Sequence, residues 1–176
     1  FQQADRLVLG ICNGFQVMMR LGIFFPESDR PPATLTLNKQ GRFEDRWVHL
    51  VNAASNSVFL NGVTSMYLPM AHAEGRFTTS DPGVAAELSS RGQLGLRYSN
   101  SSGVIQDAEL GFPDNPNGAQ FNVAGISDVT GRVFGLMPHP ERHLDYTNHP
   151  FWTRRQTQPE HGEGRVIFEN AVDYFA

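Results

Sequence analysis

The sequence has little cysteine, little lysine and no long apolar run, and each shortage removes a class of protein. A single cysteine, Cys12, forbids an intrachain disulfide. A chain without such staples suits a reducing compartment better than a secreted one, so a cytoplasmic location is expected. No stretch reaches the roughly 18–20 consecutive apolar residues that a membrane span needs, and the opening Phe1-Gln2-Gln3-Ala4-Asp5 lacks the features of a signal peptide. Basic residues are not in excess: 14 Lys and Arg stand against 18 Asp and Glu, a net charge of −4. That balance leaves no electrostatic footprint for nucleic acid or an anionic membrane. Lys39 is the only lysine, and the arginine bias carries no functional weight by itself. Absent too is any G-x-x-x-x-G-K-[ST] run, so ATP chemistry would have to sit on another chain or region. No Cys or His pair stands at zinc spacing, and no metal site is expected.

What is present is a chain of 176 residues, 40% hydrophobic and 11% aromatic, long enough to bury a core as one domain. Leu7–Ile11 reads as a buried strand, followed by Asn13-Gly14 and then Phe15, Val17, Met18, Met19 and Leu21 at helical spacing, with Gly22 as C-cap. Strand patterns recur at Arg46–Asn52, Gly75–Thr79, Gly95–Tyr98, Val123–Ser127 and Val133–Met137, separated by Gly, Pro, Asn and Asp clusters. Val166, Phe168, Ala171, Val172 and Phe175 mark a closing amphipathic helix over Arg165–Phe175. With no repeat and no linker, one α/β domain is expected, an open and mostly parallel sheet flanked by helices.

Two constellations point to chemistry. In Gly10-Ile11-Cys12-Asn13-Gly14-Phe15-Gln16 a cysteine sits between a strand and a helix with glycines two residues to either side, the pattern of a nucleophile elbow. A helix N-terminus favours thiolate, and the backbone N–H after the nucleophile can bind a developing oxyanion. A cysteine nucleophile needs a base, and the base needs an orienting acceptor. Met137-Pro138-His139-Pro140-Glu141-Arg142 and Ala71-His72-Ala73-Glu74-Gly75-Arg76 both offer His-x-Glu. His139 lies just past a strong strand, where active groups of doubly wound sheets gather, so His139 with Glu141 is the expected pair. His72 and Glu74 precede a strand pattern, and a turn or substrate-side loop accounts for them equally well. His143, His149 and His161 are expected at the surface. Asp114-Asn115-Pro116-Asn117-Gly118 reads as a solvated reversal.

These four segments together, residues 10–16, 71–76, 114–118 and 137–142, resemble class I glutamine amidotransferases. Within that family they are most similar to the glutaminase branch serving the purine-synthesis step that makes formylglycinamidine ribonucleotide. The resemblance implies a flavodoxin-like fold. It further implies that Cys12 attacks the side-chain amide carbon of glutamine, that His139 shuttles the proton to departing ammonia, and that Glu141 orients His139. It implies an oxyanion N–H from Asn13, a place near bound glutamine for Gln16, and substrate- or partner-facing roles for His72, Glu74 and the 114–118 loop. The expected partners are glutamine and a synthetase subunit or domain using ATP, Mg and formylglycinamide ribonucleotide, with no cofactor on this chain, no nucleic acid and no membrane. Residues 1–176 are expected to form one glutaminase domain. Because further strands and a glycine-rich loop precede the elbow strand in the family, the chain is expected to begin within that domain and to lack its N-terminal strands. The segment from Asn148 to Gly162 receives no role. Two other readings stay open: a Cys-elbow hydrolase acting on other amides, and a non-catalytic remnant that only docks a partner.

Overall fold

The computed structural model describes residues 6–105 and 108–176. The Cys12 segment folds as expected: β1 (Val8–Ile11) ends at Cys12 and α1 (Asn13–Arg20) begins at the next residue. The chain then forms β2 (Ala33–Leu37), β3 (Glu44–Asn52), β4 (Ser65–His72) and β5 (Glu74–Thr79). After these come α2 (Gly83–Ser90), β6 (Leu94–Ser99), β7 (Val123–Ser127), β8 (Val133–Leu136) and α3 (Arg165–Asp173). Six strands make one sheet in the order β1-β8-β7-β6-β3-β4, and β2 pairs with β5 in a small second sheet. No described helix is long and apolar enough to cross a membrane.

The α/β class with helices against a sheet is what the chain forms, but the expectation of a mostly parallel sheet needs correction. Among the described residues only β1 and β8 pair in parallel, whereas β8/β7, β7/β6, β6/β3 and β3/β4 are antiparallel. A parallel pair needs a long crossover, while a short connection turns the chain back on itself. The link of residues 128–132 between β7 and β8 is of the second kind. The sheet is mixed, and strand direction follows from the pairings: β1, β8, β6 and β4 all run the same way. Their carboxyl ends therefore lie at one end of the sheet.

Three elements escape the sequence patterns: β2, β4 and α2. β4 contains Pro69, which cannot donate to a ladder, and β4 is accordingly an edge strand. Its exposed backbone is covered by the segment after β8. Pro69 O accepts the His139 N–H at 2.7 Å, and Tyr67 O accepts a hydrogen bond from His143 Nδ1 at 2.9 Å. The sheet is thus curled, so that β4 at one edge meets the chain leaving β8 and β1 at the other.

Close packing of α1 on the β1/β8 pair fixes the elbow. A Cβ on Gly10 would lie 2.2 Å from Met18 Sδ, and one on Gly135 would lie 2.1 Å from the Phe15 ring. Only glycine permits that approach. Phe15, Met18 and Met19 are buried there, and Phe15 meets Phe24 edge to face at 5.6 Å. Burial of each such side chain contributes about 1.5–3 kcal/mol, so α1 is held by its apolar face more than by helix propensity. Gly14, the other glycine of the elbow pattern, meets nothing within 4 Å. Of the two elbow glycines, only Gly10 is under that steric demand.

Candidate active site

Cys12 has φ 50° and ψ −105°, a left-handed conformation unusual for a residue with a side chain, forced where β1 turns abruptly into α1. Its N–H donates to Leu136 O at 2.9 Å, extending the β1/β8 pairing by one residue. That register puts Cys12 beside the end of β8, three residues before His139. The thiol is almost buried and lies 3.9 Å from Ala71 O, near the end of β4. Burial pushes its pKa above the ordinary value of 9.0, the hydrogen bond from the Asn13 N–H opposes this, and the Glu141 charge raises it further. At neutral pH the resting sulfur is a thiol, so attack requires a base.

A histidine paired with a carboxylate follows β8. His139 Nδ1 lies 2.6 Å from Glu141 Oε1. An ionised carboxylate only accepts hydrogen bonds, so Nδ1 donates, which in the neutral ring puts the lone pair on Nε2. Nε2 is buried and has no hydrogen-bond partner. The short turn Pro140–Arg142 sets Glu141 back against its histidine, and the Pro69 contact anchors the backbone of His139.

The second His-x-Glu segment also lies here, and its placement corrects the sequence reading. The pattern at 75–79 made His72 the entry to a strand, but His72 ends β4 and Glu74 opens β5. The segment therefore stands beyond a strand's carboxyl end, beside Cys12. The two residues do not form a second orienting pair. The Glu74 carboxylate reaches out to Arg20 Nη2 at 3.3 Å in an exposed ion pair, while Glu74 O accepts a hydrogen bond from Gln16 Nε2. His72 is buried, with Nδ1 3.1 Å from Asn38 Oδ1. Asn38 Nδ2 already donates to His72 O and Arg42 O, so Asn38 Oδ1 must accept and His72 Nδ1 must donate. Desolvation, reinforced by nearby His139, lowers the His72 pKa to about 4. His72 is neutral, with an unpartnered Nε2.

Other expectations fail for identifiable reasons. The 114–118 segment is no solvated reversal: Asn115 and Asn117 are buried. Asn117 Nδ2 donates to Gly75 O at 3.0 Å and Asn117 O accepts the Lys39 N–H, tying this loop to the 71–76 segment. Asparagine side chains replace backbone partners in such turns, so the Asn-Pro-Asn run carried the signal. Tyr98, which the sequence did not mark, lies beneath this loop with its hydroxyl 3.4 Å from Asn117 Nδ2, and burial keeps it neutral. His143, expected at the surface, is fully buried and edge-on to Trp47. Cys12, Asn13, Gln16, Ala71–Glu74, His139 and Glu141 thus converge on one end of the sheet.

Comparison with known proteins follows the same line. Residues 1–175 match a family described as the CobB/CobQ-like glutamine amidotransferase domain. The phosphoribosylformylglycinamidine synthase subunit PurQ of Methanococcus maripaludis is 42% identical over 187 residues, covering 99% of this chain and 68% of that protein. Its namesake from Dehalococcoides mccartyi is 42% identical over 176 residues, covering 99% and 66% respectively. This chain thus spans about two thirds of the length of these curated relatives. The solved structure of PurLQS from Thermotoga maritima superposes with a TM-score of 0.67 at 27% identity, covering 97% of this chain and 62% of that one.

Proposed function

The chain belongs to the CobB/CobQ-like glutamine amidotransferase family, and from that premise we propose that it hydrolyses glutamine at Cys12 and delivers the ammonia to a synthetase that makes formylglycinamidine ribonucleotide. The observation that carries the reading is the strained Cys12 elbow at the same end of the sheet as a His139–Glu141 pair whose Nε2 has no hydrogen-bond partner.

The chemistry follows from the protonation states. Cys12 gives its proton to His139 Nε2 as the sulfur attacks the side-chain amide carbon of glutamine. The Asn13 N–H faces the oxyanion at the start of α1, where the first N–H groups of a helix lack internal partners. The C–N bond then breaks, His139 returns the proton to the leaving ammonia, and a glutamyl thioester remains on Cys12. Water, activated by the same imidazole, cleaves the thioester to glutamate and restores the thiol. His139 is preferred over His72 as base because Glu141 orients it, whereas the Glu74 carboxylate turns to Arg20. Asn13, Gln16, His72 and Glu74 are assigned to the glutamine pocket, Gln16 and Glu74 joined there by a side-chain to backbone hydrogen bond.

ATP, Mg and formylglycinamide ribonucleotide are assigned to the synthetase partner, since this sequence has no phosphate-cradling loop. The relatives named phosphoribosylformylglycinamidine synthase subunit PurQ support this choice of acceptor reaction, and the cytoplasm is the compartment it suits. Release of glutamate from glutamine, measured in the presence of the synthetase, tests the reading. Cys12→Ala abolishes it without unfolding the chain, and His139→Ala lowers it by about 100- to 10,000-fold. Unchanged release by Cys12→Ala would refute it.

A further inference from the structure

The segment from Asn148 to Gly162, which has no part in the reaction above, builds a second pocket on the flank of the sheet. Its floor is a cross-strand row. His49 on β3 pairs with Ser99 on β6 and with Tyr67 on β4, so all three side chains share one face. His49 and Tyr67 lie ring to ring at 4.5 Å, and His149, brought over by the 148–162 segment, stands 5.4 Å from Tyr67. Arg155 and Glu163 also line this cavity of about 490 Å³. That volume lies within the range of small-molecule sites.

Two residues lining this cavity each carry a buried polar atom without any hydrogen-bond partner: Ser99 Oγ and Arg155 Nη1. Buried donors are seldom left unpaired, because each costs its full desolvation. The acceptor nearest to hand is already committed. Glu163 Oε2 takes the Tyr67 N–H at 2.6 Å, and Glu163 Oε1 stands 3.9 Å from Arg155 Nη2. Glu163 thus faces the guanidinium through Nη2 at the outer limit of an ion pair, and Nη1 has no hydrogen-bond partner. A hydroxyl and a guanidinium N–H wait for an acceptor beside a wall of flat rings, which calls for an anionic group joined to a planar ring.

We propose that this pocket binds a small ring-bearing anion, its phosphate or carboxylate on Arg155 and Ser99 and its ring against Tyr67 and His149. The site is separate from Cys12: it adjoins Ser65–Tyr67 at the start of β4, whereas Ala71 and His72 lie at the end of that strand. The two are nevertheless joined by backbone, because Tyr67 O holds His143 and Pro69 O holds His139.

Trp47, 5.3 Å from Tyr67 and 5.7 Å from His149, reports on this wall. With Trp152→Phe as background, the full chain is titrated with AMP, nicotinate, adenosine and inorganic phosphate while Trp47 emission is followed. AMP or nicotinate, or both, gives a saturable change, and whichever does tells phosphate from carboxylate. Adenosine and inorganic phosphate bind at least about tenfold more weakly than the ring-bearing anion, and Arg155→Leu weakens that anion by about tenfold or more. Ser99→Ala, which deletes a hydroxyl that has no partner and so leaves folding intact, also weakens it. No saturable change with either ring-bearing anion, or binding that ignores both substitutions, overturns the proposal.

Discussion

At the scale of single residues, the site is organised by which nitrogen or sulfur carries a proton. Cys12 accepts a backbone conformation that costs about 1–3 kcal/mol, repaid by the packing of α1 on β1 and β8. Its burial favours the protonated sulfur, and in the proposed reaction the Glu141 contact at His139 Nδ1 leaves Nε2 to act as base. His72 is the contrasting case, a histidine held neutral by burial. Its folded pKa of about 4 lies below the unfolded value of 6.5. Between these values the unfolded chain binds the proton more readily, so the contribution of His72 to stability is whole above pH 6.5 and is lost as the pH falls toward 4. Denaturant unfolding across that range shows a loss on the order of 3 kcal/mol tied to this residue. His72→Gln, which keeps a hydrogen-bonding side chain but cannot titrate, has a visibly flatter acid limb. An equal acid limb in the two proteins would place the titration elsewhere.

At the scale of elements, the β1/β8 register and the closure of β4 decide the geometry. Glycine at 10 and 135 lets α1 approach the strand pair, so Gly135→Ala drives a methyl into Phe15. It destabilises the fold by about 1–3 kcal/mol, read as a lower midpoint in denaturant with an unchanged slope. The β1-elbow-α1 unit was legible in the sequence because buried strand, turn and helix follow one another within fifteen residues. So was β8 with its His-Pro-Glu exit, for the same local reason. β4 was not, since Pro69 breaks its pattern and its partners, Trp47 and His139, are far away in sequence. Without β4, His72 reads as the entry to a strand rather than the end of one. The same blindness to long-range partners hid Asn117 and His143, polar residues whose buried side chains donate to the distant carbonyls of Gly75 and Tyr67. Strand direction was missed as well. Composition shows where strands are, but hairpin closure decides which of them run antiparallel.

At the scale of the whole molecule, a curled mixed sheet gathers the carboxyl ends of β1, β8 and β4 and leaves the flank of β3, β4 and β6 to the 148–162 segment. One end carries the residues of the proposed reaction and the flank carries a second pocket, with the Tyr67–Pro69 backbone running between them. The chain spans 68% of the methanococcal relative and 62% of the solved chain from Thermotoga maritima, and it holds the three residues, Cys12, His139 and Glu141, to which the proposed reaction assigns nucleophile, base and orienting carboxylate. Every step proposed at Cys12 requires a formed glutamine pocket around that thiol. Intact-mass labelling with an electrophilic glutamine analogue, run beside Cys12→Ala and beside a generic alkylating reagent, shows whether the pocket exists. One label per chain at Cys12, blocked by glutamine and absent from Cys12→Ala, is the expected result. Labelling by the generic reagent alone, with the glutamine analogue ignored, would contradict the proposed function.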